Sequence, residues 1–208
     1  MSKKRKLYIN VERIKIKGDP EILGRYVFDI DKFVAEISSE TTNLCIILKK
    51  YYQMDYTDQF IKMVENVNDL NKTLFNESEE IFELKEQLLK LIENMQIFNN
   101  KSLGIPRGQR HASGTPRIST DRNQVFNFSR EDYIYVHKSI LRYLDGVSEA
   151  SKIIYKEVMA AGSIWIDDQY RIFADTIMDI LNVIKKGAAL LSDYADVLKQ
   201  KIIVLSNR

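Results

Sequence analysis

Histidine and cysteine, two residue types that often carry catalysis, are few in this chain. The two histidines, His111 and His137, have no cysteine or second histidine at metal-ligand spacing, so we expect no metal site. One acidic cluster occurs, made of Glu79, Glu80, Glu83 and Glu86. A charge run of this kind is typical of a solvated helix face. Because no phosphate-binding glycine loop and no nucleophile motif occurs either, the sequence predicts a protein that is not an enzyme and needs no cofactor.

The single cysteine and the hydropathy pattern indicate the cellular compartment in which the chain folds. Cys45 has no internal disulfide partner and lies on the apolar side of its helix, which predicts a buried thiol and a reducing compartment at folding. Every apolar run is broken by charge well short of the roughly 20 residues of a membrane span. The basic start 1–6 leads into 7–13, which alternates and gains charge where a signal peptide has its apolar core. We therefore expect a cytoplasmic chain. Export by a route that uses no cleavable signal peptide stays an alternative.

One apolar pattern occurs twice along the chain, at an offset of 110 residues. The two stretches that carry it, 19–98 and 129–208, both follow the spacing of a helix. Matched pairs include Phe60 with Tyr170, Met63 with Phe173, Val67 with Ile177, Leu70 with Ile180 and Leu88 with Leu198. The repeat predicts two related helical hairpins.

Helix-capping residues recur at the same offset. Asp19 precedes Pro20, and this pair favours a helix start because Asp caps free N–H groups and proline fits the first helical position. Ser129 stands 110 residues on, with Asp132 three residues later in a capping-box arrangement. The predicted helices cover about 20–50, 57–97, 130–161 and 167 to the end.

The second and fourth helices show apolar spacings that alternate between three and four, which is a heptad seam. The seam skips one position in each helix, at Glu77 and at Gly187. The sequence therefore predicts an all-α fold, in which two tandem antiparallel hairpins form an elongated four-helix bundle. The predicted domains are a basic tail with a short extended segment (1–18), the first hairpin (19–98), a basic Gly/Pro-containing linker (99–128) and the second hairpin (129–208).

The linker supports an alternative function. It holds a string of basic residues with phenylalanines nearby that are suited to stacking on bases, as in proteins that bind nucleic acid or another anionic surface. The candidate contacts are Lys101, Arg107, Arg110, Arg117 and Arg122. A basic linker that only keeps the chain soluble is the competing interpretation.

The junction between the third and fourth helices is the most unusual local sequence. It contains a Gly162-Ser163 helix breaker, the only tryptophan, Trp165, and acidic residues where a helix N-terminus favours negative charge. Trp165-Ile166-Asp167, at the turn of a long hairpin, resembles the WXG family, the small helical hairpins exported by bacterial type VII secretion. In that family a Trp-x-Gly turn joins two long antiparallel helices. Here Asp167 takes the place of the glycine, and the first hairpin has Asp55 at the tryptophan position.

The resemblance implies a binding role. Family members pair as two hairpins in a four-helix bundle, and the tryptophan turn lies beside a partner's tail to form a signal read by the secretion ATPase. It implies a non-enzymatic interaction module of a type VII secretion system, either secreted itself or targeting a larger effector. Its partner would be a helical protein, an effector or that ATPase, with nucleic acid not expected. The implied contact residues are Trp165, Ile166, Asp167, Asp168 and Gln169.

Two alternatives to this interpretation remain. Trp165 alone could plug the end of the bundle. The chain as a whole could be a coiled-coil scaffold unrelated to secretion.

Overall fold

The structure is a computed structural model that describes residues 9–10, 13–51, 58–97 and 128–207. The described chain is all-helical, with four helices that pack as a four-helix bundle, so the predicted fold class is confirmed. The helices are α1 (Pro20–Lys50), α2 (Asp58–Ile97), α3 (Arg130–Ala161) and α4 (Asp168–Ser206). Within the described ranges no strand forms, and one isolated antiparallel bridge joins Ile16 to Trp165.

Both predicted helix starts have the expected caps. The Asp19 carboxylate accepts a hydrogen bond from Glu21 N at 3.0 Å. Ser129 and Asp132 form a reciprocal capping box: the Asp132 carboxylate accepts from Ser129 N at 2.8 Å, and Ser129 Oγ accepts from Asp132 N at 3.2 Å. These hydrogen bonds lower the pKa of Asp132, because they favour the charged carboxylate.

The chain divides into two compact units, and each unit contains a part of every helix. Unit 1 holds 1–35, 76–112 and 150–181, whereas unit 2 holds 36–75, 113–149 and 182–208. Helices α1 and α4 begin in unit 1 and end in unit 2, and α2 and α3 run in the opposite direction. Each hairpin is therefore antiparallel, and each unit has its own core.

The core of unit 1 is mainly apolar, with buried Ser78 and one buried ion pair. All four helices and the α3–α4 turn contribute buried side chains, among them Leu23, Val27, Ile30, Ile81, Leu88, Ile154, Val158, Trp165, Phe173 and Ile177. Within this core Lys85 Nζ on α2 lies 2.9 Å from the Asp31 carboxylate on α1, and the Lys85 side chain is 0% exposed.

The core of unit 2 contains part of each predicted seam and a small polar layer. Its buried apolar residues include Leu44, Leu48, Phe60, Val67, Leu70, Leu74, Val136, Ile140, Ile184, Leu191, Tyr194 and Leu198. Buried Thr41 donates to Ile37 O at 2.7 Å, so the Tyr143 hydroxyl, 2.9 Å away, donates to Thr41 Oγ1. Burial raises the pKa of Tyr143 to about 12. The hydrogen bond between Thr41 and Tyr143 links α1 to α3.

The two seam breaks differ in their surroundings. Glu77 lies in unit 1 and is half-buried. Gly187 lies in unit 2, where a Cβ atom would come within 2.9 Å of Leu70 Cδ2. Leu70 therefore occupies the space that a side chain at position 187 would need.

None of the helices in the described part of the chain carries an apolar stretch that could cross a bilayer.

Candidate functional site

The α3–α4 turn is held by many hydrogen bonds. After Ala161 the chain closes a tight set of backbone hydrogen bonds, with Ser163 N donating to Ala160 O at 3.0 Å and Trp165 N donating to Ala161 O at 2.8 Å. Gly162 and Ser163 end α3, because serine favours turns over helix interiors and the Ser163 hydroxyl donates to Ala160 O at 2.6 Å. The turn thus has a fixed conformation that presents 164–167.

Trp165 lies inside unit 1 rather than on its surface. Its side chain is 1% exposed, and its ring centroid is 5.4 Å from that of Phe173 and 6.2 Å from that of Tyr170, both on α4. The indole Nε1 donates to the Asp167 carboxylate, 3.1 Å from each oxygen. The aromatic ring is therefore a packing element of the turn, and the polar edge of the indole is satisfied within the chain.

Asp167, which stands at the glycine position of the WXG motif, has an identifiable role. It is the N-cap of α4, because its carboxylate accepts from Gln169 N at 2.7 Å. The same carboxylate accepts from the Trp165 indole and from Lys15 N in the N-terminal segment. A glycine would accept none of these three hydrogen bonds through a side chain. The aspartate therefore stabilises the turn in a way that a glycine could not.

Gly162 has a steric reason to be glycine. A Cβ atom there would lie 2.5 Å from the Tyr170 hydroxyl oxygen and 2.8 Å from its ring carbon Cε1. The ring is held in this place because the Tyr170 hydroxyl donates to Val158 O at 3.0 Å. Gly162, Trp165, Asp167 and Tyr170 therefore form one packed unit around the turn.

The N-terminal segment 13–17 lies along the turn. Lys17 N donates to Ile164 O at 2.8 Å, and Ile166 N donates to Lys15 O at 3.0 Å, which places Ile16 opposite Trp165. The predicted extended segment is thus used as a short β-type strap. Further along, Asn10 N donates to the side-chain oxygen of Gln169 at 2.9 Å.

Apolar side chains remain exposed at the same end of the second hairpin. Ile166 is 57% exposed, and on the last turns of α3 Met159 is 56% and Tyr155 is 49% exposed. Asp168, the first residue of α4, is exposed as well. Of the five residues implied as partner contacts, Ile166 and Asp168 face solvent, whereas Trp165, Asp167 and Gln169 are engaged within the chain. The arrangement is a rigid turn that presents an apolar residue, which is suited to protein contact.

The other candidate residues add no chemistry to this end. The basic residues Lys101, Arg107, Arg110, Arg117 and Arg122, together with Asp55, lie outside the described residues. Among the residues that the structure does describe, no group of three or more His, Cys, Asp or Glu side chains could hold a metal ion. Burial raises the pKa of the Cys45 thiol to about 12, so it is protonated at neutral pH.

The Lys85–Asp31 pair was not predicted, although the sequence carries a signal for it. Lys85 lies four residues after buried Ile81 and three before buried Leu88, so it falls on the apolar face of α2. Asp31 has the same relation to Val27 and Val34 on α1. Opposite charges on the apolar faces of two helices in one hairpin are the pattern that would have predicted the pair.

Comparison of the chain with protein-family models, with curated proteins and with solved structures finds no match.

Proposed function

We propose that this chain is a non-enzymatic protein-interaction module of a type VII secretion system, acting as a secreted WXG-like protein or as the targeting partner of a larger effector. The observation that carries the proposal is the fixed α3–α4 turn, in which buried Trp165 and capping Asp167 flank an Ile166 that is 57% exposed. The turn itself is packed into unit 1, but the exposed Ile166 side chain adds little to that core and is available for contact with a partner.

The proposal assigns the contact to side chains that are free to make it. Ile166 is the anchor, Met159 and Tyr155 extend the apolar surface along α3, and Asp168 supplies an exposed charge beside it. Trp165 acts indirectly by holding the turn. The main partner contact is thus assigned to Ile166, and not to Trp165, the tryptophan of the motif.

Co-purification with a type VII secretion ATPase and with the products of the genes beside the one for this chain tests the proposal. Ile166→Asp is expected to abolish co-purification while leaving the helical circular dichroism and the melting temperature unchanged, since the side chain is exposed. Ile46→Asp is the matched control, because Ile46 is also exposed, at 53%, but lies on α1 in unit 2. Retention of both partners by a folded Ile166→Asp variant would refute the assignment.

Substitutions in the basic linker distinguish the proposed protein interaction from the nucleic-acid alternative. Replacing Arg107, Arg110 and Arg117 with serine is expected to leave the protein interaction intact. On the alternative, the same variant would lose a salt-dependent binding to DNA or RNA that the unaltered chain shows, because phosphate contacts release counterions.

A further inference from the structure

A second exposed apolar feature lies on α4, in the part of the helix that belongs to unit 2. Val183, Leu190 and Val204 are 39%, 43% and 55% exposed, and Val197 is half-buried. These residues follow one another at intervals of seven, so they form a single stripe along the helix, which we call the α4 stripe. At about 1.5 Å per residue the stripe is about 32 Å long.

The internal repeat provides a control for the α4 stripe. The positions 110 residues earlier lie on α2 and are polar: Thr73, Glu80, Gln87 and Asn94. Asn94 is exposed, as its apolar counterpart Val204 is. Because α2 packs in the same bundle with polar residues at these positions, the bundle itself does not require the α4 stripe to be apolar. The apolar residues therefore indicate a contact beyond the four described helices.

The sequence around the α4 stripe is self-complementary about Leu190. Val183 lies seven residues before it and Val197 seven residues after it. Lys186 lies four residues before it and Asp193 three residues after it, on the same flank of the helix. Both charged side chains are exposed, and neither forms an ion pair with a described residue.

We propose that the α4 stripe binds the α4 stripe of a second copy of this chain, in an antiparallel contact with a two-fold axis at Leu190. The axis brings Leu190 against its own copy and each Val183 against Val197 of the partner. Lys186 and Asp193 lie about 6 Å and 4.5 Å from Leu190 along the helix. Each Lys186 is thus level with Asp193 of the partner to within about 1.5 Å, and two symmetric ion pairs form.

Charge selects this occupant. In a parallel pair of α4 helices the two-fold axis runs along the helices, so the charged flanks of the two copies lie on opposite sides of the contact and Lys186 cannot reach Asp193 of the partner. The antiparallel pair brings the two flanks to the same side and forms both ion pairs, and it keeps the valines and leucines in contact. A single helix pair buries a small area compared with obligate dimers, so the dimer is expected in the micromolar range of dissociation constants.

Sedimentation equilibrium of the full chain, over micromolar to millimolar concentration, measures the association. We expect reversible conversion of the 24.3 kDa monomer to a species of twice that mass. Leu190→Asp is expected to weaken association at least 100-fold, because it places two carboxylates on the axis. Ile46→Asp, an equally exposed site on α1, is the control and is expected to leave association unchanged.

Charge reversal distinguishes the antiparallel pair from any other contact. Lys186→Asp and Asp193→Lys are each expected to weaken association about tenfold, and the double variant is expected to restore it, since the signs are exchanged within both ion pairs. Circular dichroism of each variant checks that the helices persist. A chain that stays monomeric at millimolar concentration would overturn the proposal. Association that survives Leu190→Asp, or a double variant weaker than both single ones, would do the same.

Discussion

The buried ion pair between Lys85 and Asp31 should be the most sensitive electrostatic contact of unit 1. Lys85 Nζ lies 2.9 Å from Asp31 Oδ2, with the two side chains 0% and 5% exposed. The ammonium group also lies 4.1 Å from the centroid of the Phe82 ring and 3.5 Å from Glu86 Oε1. At an effective dielectric constant of about 20, two unit charges at this separation attract by about 6 kcal/mol. The desolvation of each ion, several kcal/mol, opposes that attraction.

Removing one partner should therefore destabilise the protein far more than removing both. Lys85→Met leaves the Asp31 charge in its buried position without the ammonium group, and we expect a loss of about 3 to 5 kcal/mol in the free energy of unfolding. Asp31→Val should fall at the lower end of that range, because Glu86 still lies beside Lys85. The double variant should come within about 1 kcal/mol of the unaltered protein or exceed it, since apolar groups then fill the site.

Urea unfolding, followed by circular dichroism, measures these differences. With a slope of about 2 kcal/mol per molar urea, a loss of 3 to 5 kcal/mol lowers the midpoint by about 1.5 to 2.5 M. Lys90→Met is the matched control, because Lys90 is an exposed lysine on the same helix, and its effect should stay within about 0.5 kcal/mol. Additive losses in the double variant, or a loss below about 1 kcal/mol for Lys85→Met, would show that the two side chains are not energetically coupled.

The two tightly packed glycines should respond differently to alanine. Gly162→Ala displaces the Tyr170 ring and should cost about 1 to 3 kcal/mol, seen as a lower melting temperature and a shifted Trp165 emission. Gly187→Ala gains about 1 kcal/mol of helix propensity against a Leu70 methyl that must move, so its melting temperature should change little; a large drop would mean that Leu70 cannot give way. Cys45 should resist alkylation in the native state at neutral pH and react once urea unfolds the chain, and rapid native labelling would contradict its burial.

The helices and their packed faces could be predicted from the sequence because both depend on local signals. Asp19 and Ser129 mark helix starts through hydrogen bonds to residues two or three positions away. The heptad seams place an apolar residue every three or four positions, and the described seam residues of α2 are buried as expected. A position on a helix face follows from periodicity alone, so no knowledge of the partner helix is needed.

The arrangement around Trp165 could be predicted only in part. The turn and the negative charge at the start of α4 are visible in the sequence. The strap formed by 13–17 is not, because its hydrogen bonds connect residues about 150 positions apart through backbone atoms that carry no sequence signature. That strap lies against the turn where Trp165 is buried, and burial decides whether Trp165 or Ile166 can meet a partner. Motif and spacing alone therefore left this choice open.

The two halves of the internal repeat match at buried positions and differ at many exposed ones. Where both halves must bury a face, their residues match in character, as Phe60 and Tyr170 or Leu88 and Leu198 do. Where a face is exposed, the halves differ, since Glu80 on α2 corresponds to Leu190 on α4. A bundle needs both hairpins to hide their seams, and it gains nothing from an apolar residue in water. On the two proposals, the second hairpin carries the surfaces through which this chain acts, namely Ile166 and the α4 stripe.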